Sequence, residues 1–210
     1  MNRIATPHDT ATVKDAVIGR ETILEAARVT LVDVGVAALT VRAVAQAAGC
    51  STTGIYTHFG GKQGVLDALY VEAFSDFHDA LYSKPGDVGA IERAHRAARA
   101  YRNWALANPA RYLLIFAFRA TGYVPTPQMV LPTQATFETL VDMFGEAVAA
   151  GDLSGDPRAI STHLWATQHG YVMLELTGPG ALTEDAEEAY FAGVSAALRA
   201  HGATNAVNPT

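Results

Sequence analysis

Ala45, Gly49 and Ile55, spaced by four and then six residues, restrict what this chain can fold into more than any other feature. The spacing suits two short helices crossing at a tight turn. The first position must be small because the second helix packs across it. The glycine takes a left-handed turn conformation that a side chain would strain, and the third residue is a buried aliphatic on the inner face of the second helix. Val44 and Ala48 add apolar contacts. Thr40 is placed to cap the first helix, which runs to about Ala47, and Ser51 to cap the second, Thr52 to His58.

The flanks carry helical period. Ile23, Leu24, Ala27, Leu31 and Val34 form one apolar stripe that Gly35 ends. Beyond Gly60-Gly61, a longer helix is predicted from Lys62 to Leu81, with Val65, Leu66, Leu69, Ala73 and Phe77 on one side. The turn Lys84-Pro85-Gly86-Asp87 is the predicted domain boundary. Helical stretches follow at about 88–107, 110–120, 127–150, 157–177 and 183–200, with Pro109 and Pro157 in first-turn positions. No stretch alternates as a half-buried strand does. Val124 to Pro132 has room to be extended, but Pro125, Pro127 and Pro132 argue against a paired strand. The predicted fold class is all-α: an N-terminal three-helix helix-turn-helix domain and a C-terminal helical domain. The expected order is a disordered tail at 1–16, the helix-turn-helix domain at 17–62, a connecting helix at 63–84, the second domain at 85–202 and a disordered tail at 203–210.

Charge is distributed unevenly. The formal net charge is -6, which taken whole does not suit a nucleic-acid binder. Residues 1–70, however, balance Arg3, Lys14, Arg20, Arg28, Arg42 and Lys62 against Asp9, Asp15, Glu21, Glu25, Asp33 and Asp67, so all the excess lies in the remainder. From Thr40 to Lys62 there is no carboxylate at all. The second motif helix presents Thr52, Thr53, Gly54, Tyr56, Thr57 and His58 around a single buried Ile55. Short hydroxyl side chains reach base edges, and threonine methyls meet thymine methyls. Tyr56 and His58 are better placed on phosphates, and Lys62 opens a helix whose amides and ammonium can meet a phosphate together. These are the features of a double-stranded DNA partner.

This segment resembles the DNA-binding domain of the tetracycline-repressor (TetR) family of transcriptional regulators. The likeness lies in Thr40-Val41-Arg42-x-Val44-Ala45-x-x-Ala48-Gly49-Cys50-Ser51, then Gly54-Ile55-Tyr56-x-His58-Phe59, then Lys62 and Leu66. The resemblance implies that Thr40 and Arg42 contact phosphate, that Thr52 and Thr53 face bases, that Tyr56, His58 and Lys62 clamp phosphates, and that Phe59 is core. Gly60-Gly61 replaces the more polar linker usual there, and Gly64 weakens the start of the following helix. Farther on, Trp165-x-x-x-His169-Gly170-Tyr171-Val172-x-Leu174-Glu175-Leu176 resembles the WHG type of C-terminal domain in the same family.

The resemblance implies a homodimer whose last two helices form a four-helix bundle across a two-fold axis. Ala186, Ala189, Tyr190, Gly193, Ala197 and Leu198 set small residues near large ones there. A small apolar or aromatic effector is the expected third partner. The candidates for lining its pocket are Trp104, Phe116, Tyr123, Phe137, Trp165, His169 and Met173. Arg93, Arg96 and Arg99 read as a solvated stripe. His163 and His169, six apart, are not a metal pair. Cys50, the single cysteine, excludes a disulfide framework and any multi-cysteine metal site, and reads as a small core residue. No enzyme motif is present, and no cofactor or metal is expected. The longest apolar run, Tyr112 to Phe118, is too short to span a membrane, and no signal pattern is seen, so a cytoplasmic location is expected. The expected function is a ligand-responsive regulator, most simply a repressor bound to a palindromic operator. The alternative is a DNA-binding dimer controlled by a protein partner without a small-molecule inducer.

Overall fold

A computed structural model describes residues 18–83, 88–117, 123–178 and 185–203. Every regular element among them is helical: α1 (Arg20–Ala38), α2 (Val41–Ala48), α3 (Thr52–Phe59), α4 (Lys62–Tyr82), α5 (Ala90–Ala107), α6 (Pro109–Phe116), a 3-10 turn (Pro127–Val130), α7 (Leu131–Ala149), α8 (Pro157–Thr177) and α9 (Ala186–Arg199). The all-α class is therefore as expected. The predicted 1–16 tail, residues 204–210 of the second tail and the Lys84–Asp87 turn lie outside the described residues, while Ala203, placed in that second tail, is buried. The chain forms two compact units, divided between Leu69 and Tyr70, so the division falls inside α4.

In the first unit, α1 buries Ile23, Leu24, Ala27 and Leu31 as its period requires. Val34 does not join them and stays 46% exposed. Gly35 takes φ 72° and ψ 173° inside α1, which shifts the helical phase, and Val36 becomes the buried residue instead. The two motif helices form as their local chemistry dictates. The Thr40 hydroxyl accepts the Ala43 amide at 3.1 Å and the Ser51 hydroxyl accepts that of Gly54 at 3.3 Å, caps worth about 1 kcal/mol each. Gly49 ends α2 at φ 68°, ψ 27°, where a Cβ would be strained. Val44, Ala45 and Ile55 are buried, as are Val65, Leu66 and Leu69 of α4. Cys50 is only half-buried.

The second unit packs α5 against α7 and α8, and α8 against α9, with α6 joined to α5 through Asn108. Its centre is aromatic: Phe74, Phe77, Tyr101, Tyr112, Phe116 and Trp165 meet in edge-on and tilted pairs. The stretch from Val124 to Pro132 is not extended throughout. Pro127 opens the 3-10 turn and Pro132 the first turn of α7, positions where the missing amide proton costs nothing.

Candidate nucleic-acid interface and ligand cavity

The outer face of α3 is open. Ser51, Thr52, Thr53, Tyr56 and Thr57 are exposed, Tyr56 to 59%, while Gly54 and His58 are half-exposed and Ile55 is fully buried. The Thr57 hydroxyl donates to the Thr53 carbonyl at 3.0 Å, which leaves its lone pairs free but commits its proton. Thr40 and Arg42 are exposed on and beside α2. Two residues differ from the expectation. Phe59 is not core but half-buried, with the Arg20 guanidinium 4.8 Å above its ring. Lys62 is half-buried, and its ammonium donates to the Ala37 carbonyl at 3.3 Å, satisfying an end of α1.

The linker glycines also acquire a reason. Gly60 and Gly61 both have positive φ, 70° and 124°. At Gly64 an added Cβ would stand 1.7 Å from the Phe59 carbonyl oxygen. The residue that looked like a weak helix start is the one that lets α3 and α4 meet.

The second unit holds a narrow, partly open cavity of about 470 Å³, a volume that includes solvent space at its mouth. Phe74, Phe77, Leu81 and Tyr82 of α4 form one wall. Tyr101, Phe116, Phe137, Leu140, Leu164 and Trp165 form the rest, with Thr133, Thr136 and Gln168 as polar points. Three predicted lining residues, Phe116, Phe137 and Trp165, meet here. His169 lines an adjoining, more open cleft with Tyr70, Ile115 and Pro125; Phe116, Thr133 and Trp165 are common to both. Trp104, Tyr123 and Met173 line neither. Trp104 packs on Phe77 under the Arg111 guanidinium, and Tyr123 is buried against Tyr70, while Met173 is half-buried on α8. The α4 wall and Gln168 were missed. The signals were there: Tyr70, Phe74 and Phe77 recur at helical spacing, and Gln168 interrupts the buried Leu164–Val172 stripe.

The polar groups around the cavity are mostly satisfied. The hydroxyls of Tyr101 and Tyr112 lie 2.8 Å apart, and that of Tyr112 lies 2.8 Å from His169 Nδ1. Burial pushes both phenols above their ordinary range and pulls the His169 imidazole below its own, so this cluster is neutral at pH 7. Glu175 is held by Arg102. The predicted solvated stripe leaves Arg96 and Arg99 exposed, and its members are also paired: Arg93 with Glu146, Arg96 with Glu92 and Arg99 with Glu187. His163 meets His201 across 3.1 Å. No three His, Cys, Asp or Glu side chains converge among the described residues, and no described helix is long and apolar enough to cross a membrane.

A helix-turn-helix unit and a helical unit with an aromatic cavity, in one chain, define a two-domain helical regulator. The family model for "bacterial regulatory proteins, tetR family" matches residues 23–69, and that for "tetracyclin repressor-like, C-terminal domain" matches residues 94–197. The chain belongs to the TetR family of transcriptional regulators. It is similar to the HTH-type transcriptional regulator Rv1816 of Mycobacterium tuberculosis, with 33% identity over 139 residues, 65% of this chain. That match spans 58% of the relative's own length. A structure of a protein of unknown function from Rhodococcus sp. RHA1 superposes with a TM-score of 0.76 at 28% identity, covering 92% of this chain and 99% of that one. The SmeT–triclosan complex shares the fold, with a TM-score of 0.64 at 22% identity over 90% of this chain and 94% of its own.

Proposed function

We propose that the chain is a ligand-responsive repressor that binds a palindromic operator as a homodimer in the cytoplasm. The observation that carries this reading is the pairing, in one polypeptide, of an exposed carboxylate-free α3 with a narrow aromatic cavity. Thr52 and Thr53, with Gly54, face the base edges of the major groove. Thr40, Arg42, Ser51, Tyr56 and His58 hold phosphates around them, with Lys62 at the start of α4, and Thr57 presents its methyl and its hydroxyl lone pairs to the duplex. Two α3 helices about 34–36 Å apart fit successive major grooves.

The dimer surface is assigned to the outer faces of α8 and α9. Tyr171 and Leu174 are 37% and 49% exposed there, beside the exposed Ala192 and Ala196. Three of the small-and-large residues predicted for that surface have other work. Tyr190, Ala197 and Leu198 are buried within the subunit, and the Tyr190 hydroxyl donates to the Ala98 carbonyl at 2.7 Å. Ligand acts through α4, whose second half walls the cavity and whose first residue is Lys62; a ligand that binds better with α4 displaced shifts the population away from the DNA-binding form. A structural neighbour solved with triclosan supports a small aromatic effector.

The test is a mobility-shift assay on the DNA upstream of the protein's own gene, with and without a library of aromatic metabolites. Salt-sensitive retention of that DNA, released by at least one compound, is the expected result. Retention that no compound relieves removes the inducer; no retention of any duplex removes the whole reading.

A further inference from the structure

Gln168 stands in step with Leu164 and Val172 on the stripe that α8 turns to the core. It is 5% exposed, and its side chain forms part of the cavity wall. Its carboxamide makes no hydrogen bond with any described residue. Two other deeply buried polar side chains of the unit find partners within the chain: Ser161 donates to the Pro157 carbonyl at 2.8 Å, and Arg102 holds Glu175. An amide with no protein partner that opens only onto this cavity must be met there by water or by a guest, and leucine would serve the α8 stripe equally well unless a partner arrives from outside.

The walls define the rest of that partner. None of the cavity's lining residues is Asp, Glu, Lys, Arg or His. An ionised guest would lose its hydration with no counter-charge to replace it. The space is narrow and bounded by ring faces and edges, with Phe77 at 78° to Tyr101 and 79° to Phe116. Flat apolar molecules fill such crevices. The carboxamide both donates and accepts, so it can meet a hydroxyl, a carbonyl or an amide equally.

We propose that Gln168 is the polar anchor of the cavity, and that its ligand is an uncharged, flat, largely apolar molecule bearing a hydrogen-bonding group at the end that faces α8. This rests on the reading of the cavity as the effector site.

Three probes of one shape separate the two ideas: naphthalene, 2-naphthol and 2-naphthoate, titrated into the full chain by calorimetry and tryptophan fluorescence. The wild type binds 2-naphthol about tenfold more tightly than naphthalene, the equivalent of one net hydrogen bond, and binds 2-naphthoate more weakly than either. In Gln168→Leu the two neutral probes converge to within about threefold, naphthalene binding is retained, and the ligand-free protein melts a few degrees higher, roughly the effect of removing an unpaired buried amide. If the tenfold preference survives in Gln168→Leu, or that variant melts lower, Gln168 is a structural residue and the proposal fails while the cavity reading stands. Tighter binding of 2-naphthoate overturns the uncharged class. If no probe binds the wild type, the effector-site reading fails and this proposal with it.

Discussion

Arg102 holds Glu175 in a two-pronged grip, Nη2 to Oε1 at 2.7 Å and Nε to Oε2 at 3.1 Å, while its Nη1 reaches Glu187 at 3.1 Å. Three helices, α5, α8 and α9, are tied by one arginine that is itself 8% exposed. Glu175→Ala leaves that cation with only the half-exposed Glu187, and should cost on the order of 3 kcal/mol. The paired replacement Arg102→Met with Glu175→Leu should cost much less, because no buried charge is orphaned. Urea unfolding of the three variants checks this; equal losses in single and double variants would refute it.

Gly64→Ala tests the approach of α3 to α4. Helix propensity alone predicts a gain of about 1 kcal/mol from this change. The 1.7 Å encounter with the Phe59 carbonyl predicts the opposite sign, a loss of roughly 2 kcal/mol or more with weakened DNA binding. The sign of the shift in the urea midpoint decides between them.

Base reading and phosphate holding leave different signatures. Arg42→Ala should weaken binding alike on all sequences and reduce the slope of log affinity against log salt by about one. Thr52→Ala or Thr53→Ala should instead relax preference at one operator position, by about 1–3 kcal/mol, with the slope kept. Uniform loss across a library of operator variants would show that α3 has been oriented wrongly.

Protons report on the buried imidazoles. Burial lowers the pKa of His169 from its ordinary 6.5, and that of His95 likewise, the latter also raised by Glu92 and lowered by Arg99 to smaller extents. Below about 6.5 the unfolded chain takes up protons that the folded one refuses, so stability falls as pH falls. The contribution is fully present above 6.5 and is lost progressively toward the lowered folded values. Urea midpoints should be flat from pH 8 to 7 and decline from 6.5 to 5.5, with a shallower decline in His169→Asn.

Association should depend on the exposed side of α8 and α9. Leu174→Glu or Ala196→Asp places a carboxylate on that face without entering the core. Each should convert a dimer to monomer in sedimentation while the far-ultraviolet spectrum is unchanged. A dimer that survives both substitutions lies on another face.

What the sequence disclosed follows from range. The caps at Thr40 and Ser51 and the turn at Gly49 depend on neighbours within a few positions, so they could be read directly. Val34 keeps the phase of the stripe but stays exposed in the last turn before the break at Gly35, which periodicity alone does not reveal. The pairing of Arg93 and Arg99 was not legible because their partners, Glu146 and Glu187, are distant in the chain. The cavity was least legible: an aromatic at helical spacing looks the same whether it faces a void or a neighbour, so Phe116 and Trp165 could not be told from Trp104 and Tyr123. Gln168 was the exception, a polar residue on an apolar stripe, and it was passed over.

The division of α4 between the two compact units has a practical side. A fragment cut at Leu69 ends in mid-helix, and one extended to Tyr82 carries Tyr70, Phe74 and Phe77 stripped of the rings that cover them. An excised reading head will therefore fray in the first case and self-associate in the second, and only the intact polypeptide will give a well-behaved sample.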